Sequence, residues 1–338
     1  LQVLTKRPVL THTFDEREPS QVQHVATADW CDLALVVPAT ANGLAKMAHG
    51  LADDVVTTTL LAVTAPILVV PAMNVHMYEN PATQRNLAQL RADGLTIMEP
   101  DTGFLAEGYE GKGRLPELHR IVAQVERLYA RTHLPQSLAG KQVIVSAGGT
   151  RERIDPVRYI SNDSSGKMGY AMAQAADWLG ATVTLVSTTQ SLLPPEGVQV
   201  HEVASAQELA QAMTAHYDQM DYVVMAAAVS DYRVKHPYDQ KIKKVAGQTD
   251  WQLDLVQNPD ILAQLGQTKR QQVLIGFAAE TQNLLEHARA KLSKKGADWL
   301  IANDVSNPAI GFNSDKNQVY VLGAQGQEVL LPQQSKTS

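Results

Sequence analysis

SAGGTRERIDPVRYISNDSSGKMG, residues 146–169, decides the reading of this chain. An apolar run, Val143 to Val145, precedes it and a helical pattern, Ala171 to Leu179, follows, so the stretch lies where a β-strand gives way to a helix. That is the edge at which an open α/β sheet binds ligands. Gly148 and Gly149 permit tight turns and close backbone approach. Ser164, Ser165 and Gly166 come just before the helix, where unpaired N–H groups and the helix dipole favour an anion such as phosphate. Arg151, Arg158 and Lys167 add cations and Asn162 an amide, a composition suited to a carboxylate or phosphate ligand. Spacing alone leaves a solvated Gly-rich loop with surface charges as the alternative. The glycines do not follow G-x-G-x-x-G, and the next strand, Thr182 to Ser187, runs into Thr188 and Thr189 rather than into an acidic residue that would hold a ribose diol. NAD is therefore disfavoured.

At 338 residues the chain has room for two domains, each with its own core. Lys plus Arg number 29 against 35 Asp plus Glu, a net charge of −6, which argues against a broad nucleic-acid or anionic-membrane surface and confines any phosphate site to a local pocket. A single cysteine, Cys31, rules out an internal disulfide and fits a reducing compartment. No apolar run approaches the roughly 18 residues of a membrane span, and Leu1 to Phe14 lacks the layout of a signal peptide. The expectation is a cytoplasmic protein without membrane or nucleic-acid partners.

In the first half, HVATADWCD from His24 reads as a helical turn, Leu33 to Val37 as a buried strand, and PATANGLAKMAHGLADD as a loop entering a helix. The pattern repeats with Ile67 to Val70, the loop PAMN, and a helix over Met77 to Leu90, so a parallel sheet is expected. Asn74 lies just beyond a strand end, where its amide can orient a carboxylate or cap a helix. His24 can act as a base or be structural. GFLAEGYEGKGR, residues 103–114, reads as a mobile glycine-rich loop able to close over a site, or as a plain surface loop.

A helix over Ile121 to Ala130 and the Pro and Gly of RTHLPQSLAG then place a linker at residues 131–139. Beyond it, strands are expected at Thr182–Ser187, Val198–Val203, Tyr222–Met225 and Val273–Gly276. A helix over Ala206–His216 has Ser205 as its cap, and Asn317–Leu322 with Glu328–Leu331 reads as an edge hairpin. Asp231 falls beyond a strand end and KIKK, residues 241–244, follows, so Lys241 can meet a phosphate and Asp231 a ribose, a base or magnesium. Alone, KIKK also reads as a solvated hairpin, and NPDIL, residues 258–262, as an ordinary helix cap. Lys291 and Lys295 stand i and i+4 on one helix face, in reach of one phosphate chain or of water.

HVATADW, PATANGLAKMAHGLADD, PAMN and LAEGYEGKGR resemble the flavin-dependent cysteine decarboxylases. Together with SAGGTRERIDPVRYISNDSSGKMG, AAAVSDY, KIKK, NPDIL, GFAAET and KLSKKGADWLIANDVS, they resemble, in order and over nearly the whole chain, a bifunctional family of bacterial coenzyme A synthesis. Its members join a phosphopantothenoylcysteine decarboxylase to a phosphopantothenate–cysteine ligase. The resemblance implies an α/β protein of two domains, a flavodoxin-like FMN domain over residues 1–130 and a doubly wound, Rossmann-like ligase domain over residues 140–338. It implies that His24 is the active-site histidine and that Asn74 contacts the substrate carboxylate while FMN carries the redox step of the decarboxylation. The loop position at which the best-studied members have a proton-donating cysteine, in LACG, is Glu107 here, and a carboxylic acid donates a proton if a dry site raises its pKa.

For the second domain the resemblance implies CTP bound by Met225, Ala226, Ala227, Asp231, Lys241, Pro259, Asp260, Ile261, Leu262, Phe277, Lys291 and Lys295, with Mg2+ a candidate at Asp231. Arg158 and Asn162 correspond to the residues that handle the acyl-cytidylate. The substrates are then 4'-phosphopantothenate, cysteine and CTP, and a homo-oligomer is expected. The family's first strand and its final helix are expected beyond Leu1 and Ser338. A second reading keeps only the ligase as an enzyme and makes the flavoprotein half a structural module.

Overall fold

A computed structural model describes residues 1–14, 20–104, 108, 110–244, 247, 249–280, 283–304 and 316–336. The chain divides into two compact units, Leu1–Leu134 and Pro135–Ser338. In the first, three parallel strands lie in the order Ala34–Ala39, Ile67–Pro71, Thr96–Ile97. The central strand is covered on both faces: Leu68 and Val70 pack with Met98 and Ile121, and Val69 packs with Leu44, Leu87 and Leu90. Two-sided burial explains why ILVV is a continuous apolar run rather than an alternating one. Helices Ala41–His49 and Pro81–Ala92 start on Thr40 and Asn80, whose side chains accept from Gly43 N and Ala82 N.

One segment of this unit goes unread in the sequence, and another departs from its reading. VVTTTLLA, Val55–Ala62, is a helix, with Asp54 accepting from Thr57 N at its start. In the glycine-rich stretch, Asp101–Phe104 and Glu110–Arg114 pair as antiparallel strands of one hairpin rather than forming a plain loop, and residues 105–107 and 109 lie outside the described residues.

The second unit is built on one eight-stranded sheet. Its main elements in chain order are β1 (Gln142–Ala147), α1 (Lys167–Trp178), β2 (Thr182–Ser187), β3 (Gln199–Glu202), α2 (Ala206–His216), β4 (Tyr222–Met225), α3 (Ile261–Thr268), β5 (Val273–Glu280), α4 (Leu284–Lys295), β6 (Trp299–Asp304), β7 (Lys316–Gly323) and β8 (Glu328–Ser335). The sheet order is β3-β2-β1-β4-β5-β6-β7-β8, with β1 to β6 parallel and β7 and β8 antiparallel. Alternate strand residues feed two cores: Val143, Val145 and Leu185 pack with Tyr170 and Ala173 of α1, whereas Ile144, Val223 and Leu274 pack with Leu209, Leu265 and Leu292 of α2, α3 and α4. Helices thus cover both faces of a doubly wound sheet. The KIKK segment forms no hairpin; residues 241–244 carry neither helix nor strand.

Candidate functional site

The strand order reverses between β1 and β4, because the chain winds outward from β1 through β2 and β3 and then returns to build β4, β5 and β6 on the other side. A crevice opens at the carboxyl ends of two such strands, where neighbouring connections diverge. The segment after β4 is fastened from both sides of that crevice. Ala227 N donates to Ser146 Oγ at 3.1 Å, Ala228 N to Gly148 O at 2.8 Å, and Ser230 N to Thr150 Oγ1 at 2.9 Å. On the β1 side Asn162 Nδ2 also reaches Ala228 O at 3.3 Å, and from the other side Asn258 Nδ2 donates to Ser230 O at 2.8 Å. A binding wall held at this many points is pre-organised, so little ordering entropy is left for a ligand to oppose.

The crevice is a cleft of about 570 Å³. It is lined by Ser164 to Gly169 at the start of α1, by Met225 to Asp231 after β4, by Asn258 to Leu262 at the start of α3, and by Phe277, Lys291 and Lys295. Lys291 Nζ donates to Phe277 O at 2.9 Å, and Lys295 pairs with Asp260, which also caps α3 by accepting from Ala263 N. Burial raises the Asp260 carboxyl, but Lys295 and the Ala263 amide outweigh it and hold the group below its ordinary value. The donor set of a helix N-terminus, two lysines and an amide fits an anionic, phosphate-bearing ligand. The Ser230 hydroxyl, buried in this wall, has no hydrogen-bond partner. Among the described residues no group of three or more His, Cys, Asp or Glu is arranged to hold a metal ion.

Of the residues singled out from the sequence, Asn162, Ser164, Ser165, Gly166, Lys167, Met225, Ala226, Ala227, Asp231, Pro259, Asp260, Ile261, Leu262, Phe277, Lys291 and Lys295 meet in this one cleft. Gly148, Gly149, Arg158 and Lys241 are not among its lining residues. Gly148 has φ 91°, and a Cβ there would sit 2.4 Å from Thr188 Oγ1; at Gly149 it would sit 2.6 Å from Asn162 O. Both glycines allow close packing beneath the site. Arg158 bonds Asp155 and the carbonyl of Ile242. The sequence reading missed Ser230, Asn258, Asn303, Asn317 and Lys336, which also line the cleft. Ser230, Asn258 and Asn303 lie inside motifs already singled out, whereas Asn317 on β7 and Lys336 just after the edge strand β8 carry no distinguishing pattern.

In the first unit, His24 is in the opening turn of helix Gln23–Trp30, and its Nδ1 is buried with no hydrogen-bond partner. Asn74 caps helix Val75–Glu79, its Oδ1 accepting from His76 N at 2.9 Å. The hairpin lies directly on this segment: Met73 N donates to Gly113 O at 3.0 Å, and a Cβ on Gly113 would fall 2.1 Å from Met73 O. Lys112, pointing the other way in the pleat, pairs with Glu99, which also accepts from Tyr78 OH and binds Arg91. Burial, and then the neighbouring Glu99, push the Tyr78 hydroxyl up to about 12. Glu107 lies outside the described residues.

Residues 138–338 match the family described as DNA/pantothenate metabolism flavoprotein C-terminal domain, and residues 1–130 match the family described as flavoprotein. The coenzyme A biosynthesis bifunctional protein CoaBC of Bacillus subtilis (strain 168) is 48% identical over 337 residues, 99% of this chain and 82% of that protein. The protein of the same name from Vibrio vulnificus (strain CMCP6) is 44% identical over 99% of this chain and 83% of its own length. Among solved structures, the C-terminal domain of a coenzyme A biosynthesis bifunctional protein CoaBC superposes with a TM-score of 0.51 at 42% identity, covering 60% of this chain and 91% of that domain.

Proposed function

Since the chain belongs to the CoaBC family of bifunctional coenzyme A biosynthesis proteins, we propose that it converts 4'-phosphopantothenate to 4'-phosphopantetheine in two reactions. In the second unit, a carboxylate oxygen of 4'-phosphopantothenate attacks the α-phosphorus of CTP, and the bond to the β-phosphate breaks to release pyrophosphate. The cysteine amine then attacks the acyl carbon, loses a proton and expels CMP. Neither step needs a protein nucleophile; both need charge neutralisation and alignment. The observation that carries this reading is the convergence of Lys291, Lys295, Asn162 and the N-terminus of α1 on one cleft at the strand-order reversal. Lys291 and Lys295 would neutralise the triphosphate, Met225 to Ala227 and Phe277 would flank the nucleoside, and Asn162 would hold the acyl oxygen. Mg2+ would enter with the triphosphate and meet Asp231, in keeping with a cation that keeps waters and uses one or two carboxylates.

In the first unit, a bound FMN would supply the two-electron redox change of the decarboxylation. The unpartnered Nδ1 of His24 fits a site that gains a polar partner on binding. His24 would move the proton at the cysteinyl group, Asn74 would orient the carboxylate, the docked hairpin would exclude water, and Glu107 would be the proton donor. Assembly into a homo-oligomer is supported by helix Leu118–His133, which packs Ile121, Val125 and Leu128 inward yet exposes Leu118, Val122 and Tyr129 along one side. No helix among the described residues is long and apolar enough to cross a membrane, and we place the protein in the cytoplasm.

The test of the ligase assignment is steady-state pyrophosphate release that requires 4'-phosphopantothenate and CTP, and cysteine for continued turnover. Asn162→Ala and Lys291→Ala are each expected to lower it at least about 100-fold, the scale of losing one transition-state donor. Full activity in both variants would refute the site.

A further inference from the structure

Lys241 stands on a segment without helix or strand, and its side chain is exposed. Such a lysine has backbone and rotamer freedom that would have to be ordered before it met a ligand. The next residue restrains the backbone part. Ile242 N donates to Asp155 Oδ2 at 3.2 Å, and Ile242 O accepts from Arg158 Nη2 at 2.7 Å, so both backbone polar groups of one residue are gripped. The two gripping side chains hold each other, with Arg158 Nε and Nη2 at 3.0 and 2.6 Å from Asp155 Oδ2. Asp155 Oδ1 accepts from the amides of Val157 and Arg158, each at 2.8 Å. Asp155 is 1% exposed, and its carboxylate accepts five hydrogen bonds, two through Oδ1 and three through Oδ2. A third tie, Tyr238 N to Ile154 O at 2.9 Å, fastens the same segment upstream of Lys241.

The anchor is itself rigid. Asp155 to Arg158 form the turn of the antiparallel pair Arg151–Arg153 and Tyr159–Ser161, and the residue after that pair is Asn162 of the cleft. A buried carboxylate outside the cleft is thereby connected on one side to a cleft residue and on the other to the backbone beside Lys241.

We propose that Asp155 is a positioning residue for the ligase reaction: with Arg158 it clamps the backbone of Ile242 and so holds Lys241 ready for the triphosphate of the nucleotide. This rests on the reading of Lys241 as a phosphate contact. The clamp gives Arg158 a role in nucleotide binding through the protein backbone.

The test is a double-mutant cycle on the full chain, read as separate KM values for CTP and cysteine. Asp155→Asn is expected to raise the KM for CTP about tenfold, the scale of one charge-assisted hydrogen bond, and to leave the KM for cysteine within about twofold. Trypsin cleavage after Lys241 and Lys243 in the folded protein is expected to accelerate. On a Lys241→Ala background, Asp155→Asn is expected to add less than about twofold, because the two act through one contact. Fully multiplicative effects, or equal rises for CTP and cysteine, overturn the proposal. If Lys241→Ala leaves the KM for CTP unchanged, the phosphate role of Lys241 is what fails, and the proposal with it. Ile242→Pro deletes the clamped N–H while leaving Asp155 and Arg158 paired; it is expected to reproduce the CTP shift, and an unchanged KM there overturns the proposal whatever the folding of the Asp155 variant.

Discussion

Lys295 enters the cleft already engaged, its ammonium on Asp260 and Asp260 on the first turn of α3. Removing the lysine would therefore do two things. In Lys295→Ala the half-exposed Asp260 loses its partner, and the cleft loses a cation. The expected outcome is a CTP KM raised about tenfold with a small fall in the unfolding midpoint of the second unit, since such exposed pairs contribute only about 0–1 kcal/mol. A large loss of stability with unchanged KM would make the pair structural. In the first unit, Asp54 is lowered to about 2, chiefly by Lys46 and then by the Thr57 amide of the helix it caps. Its folded pKa lies below its unfolded value of about 3.9, so its stabilisation is present above that value and is lost as pH falls through about 2. Denaturant titrations at pH 7, 4 and 2 are expected to show that Asp54→Asn differs from the parent at pH 7 and converges with it at pH 2. A constant gap would contradict the assignment.

Elements show which parts of the sequence could be read directly. The strands at 143–145, 222–225 and 273–276 stand out because burial on both faces leaves unbroken apolar runs, and 182–187 by its β-branched residues; the structure extends them by a few residues at most. The short pair Arg151–Arg153 with Tyr159–Ser161 hides inside the most informative stretch, since its strands are only three residues long and the first is wholly charged. Helix Val55–Ala62 is hidden for the opposite reason: Val and Thr disfavour the helix locally, and Asp54 together with packing decides it. The cationic cleft was legible because strand ends and helix starts can be located from pattern. The Asp155 clamp was not, because it joins residues 87 apart in sequence. Close packing is a further thing that pattern does not show. Gly169 in α1 faces β1 so closely that a Cβ would lie 2.5 Å from Ala147 Cβ. Gly169→Ala is expected to lower the stability of the second unit by about 1–3 kcal/mol in denaturant unfolding, the usual scale of overpacking. Gly113→Ala, blocked by the carbonyl of Met73, is expected to release the hairpin and abolish decarboxylation while ligation persists.

Across the whole molecule, the proposed scheme gives the two α/β units separate chemistry, the product of the second being the substrate of the first. The exposed row Leu118, Val122 and Tyr129 belongs to this scale, as a surface that a second copy of the chain would cover. Val122→Glu is expected to reduce the mass measured by light scattering without unfolding the first unit; an unchanged mass would place the self-association surface elsewhere.

The central claim is that the nucleotide of the ligase reaction lies at the reversal point of the second sheet. Crystals of the protein grown with CTP measure this most directly. The account predicts cytidine between Met225–Ala227 and Phe277, with the triphosphate against Lys291 and Lys295. Nucleotide density at another place, with this cleft left to solvent, would contradict it.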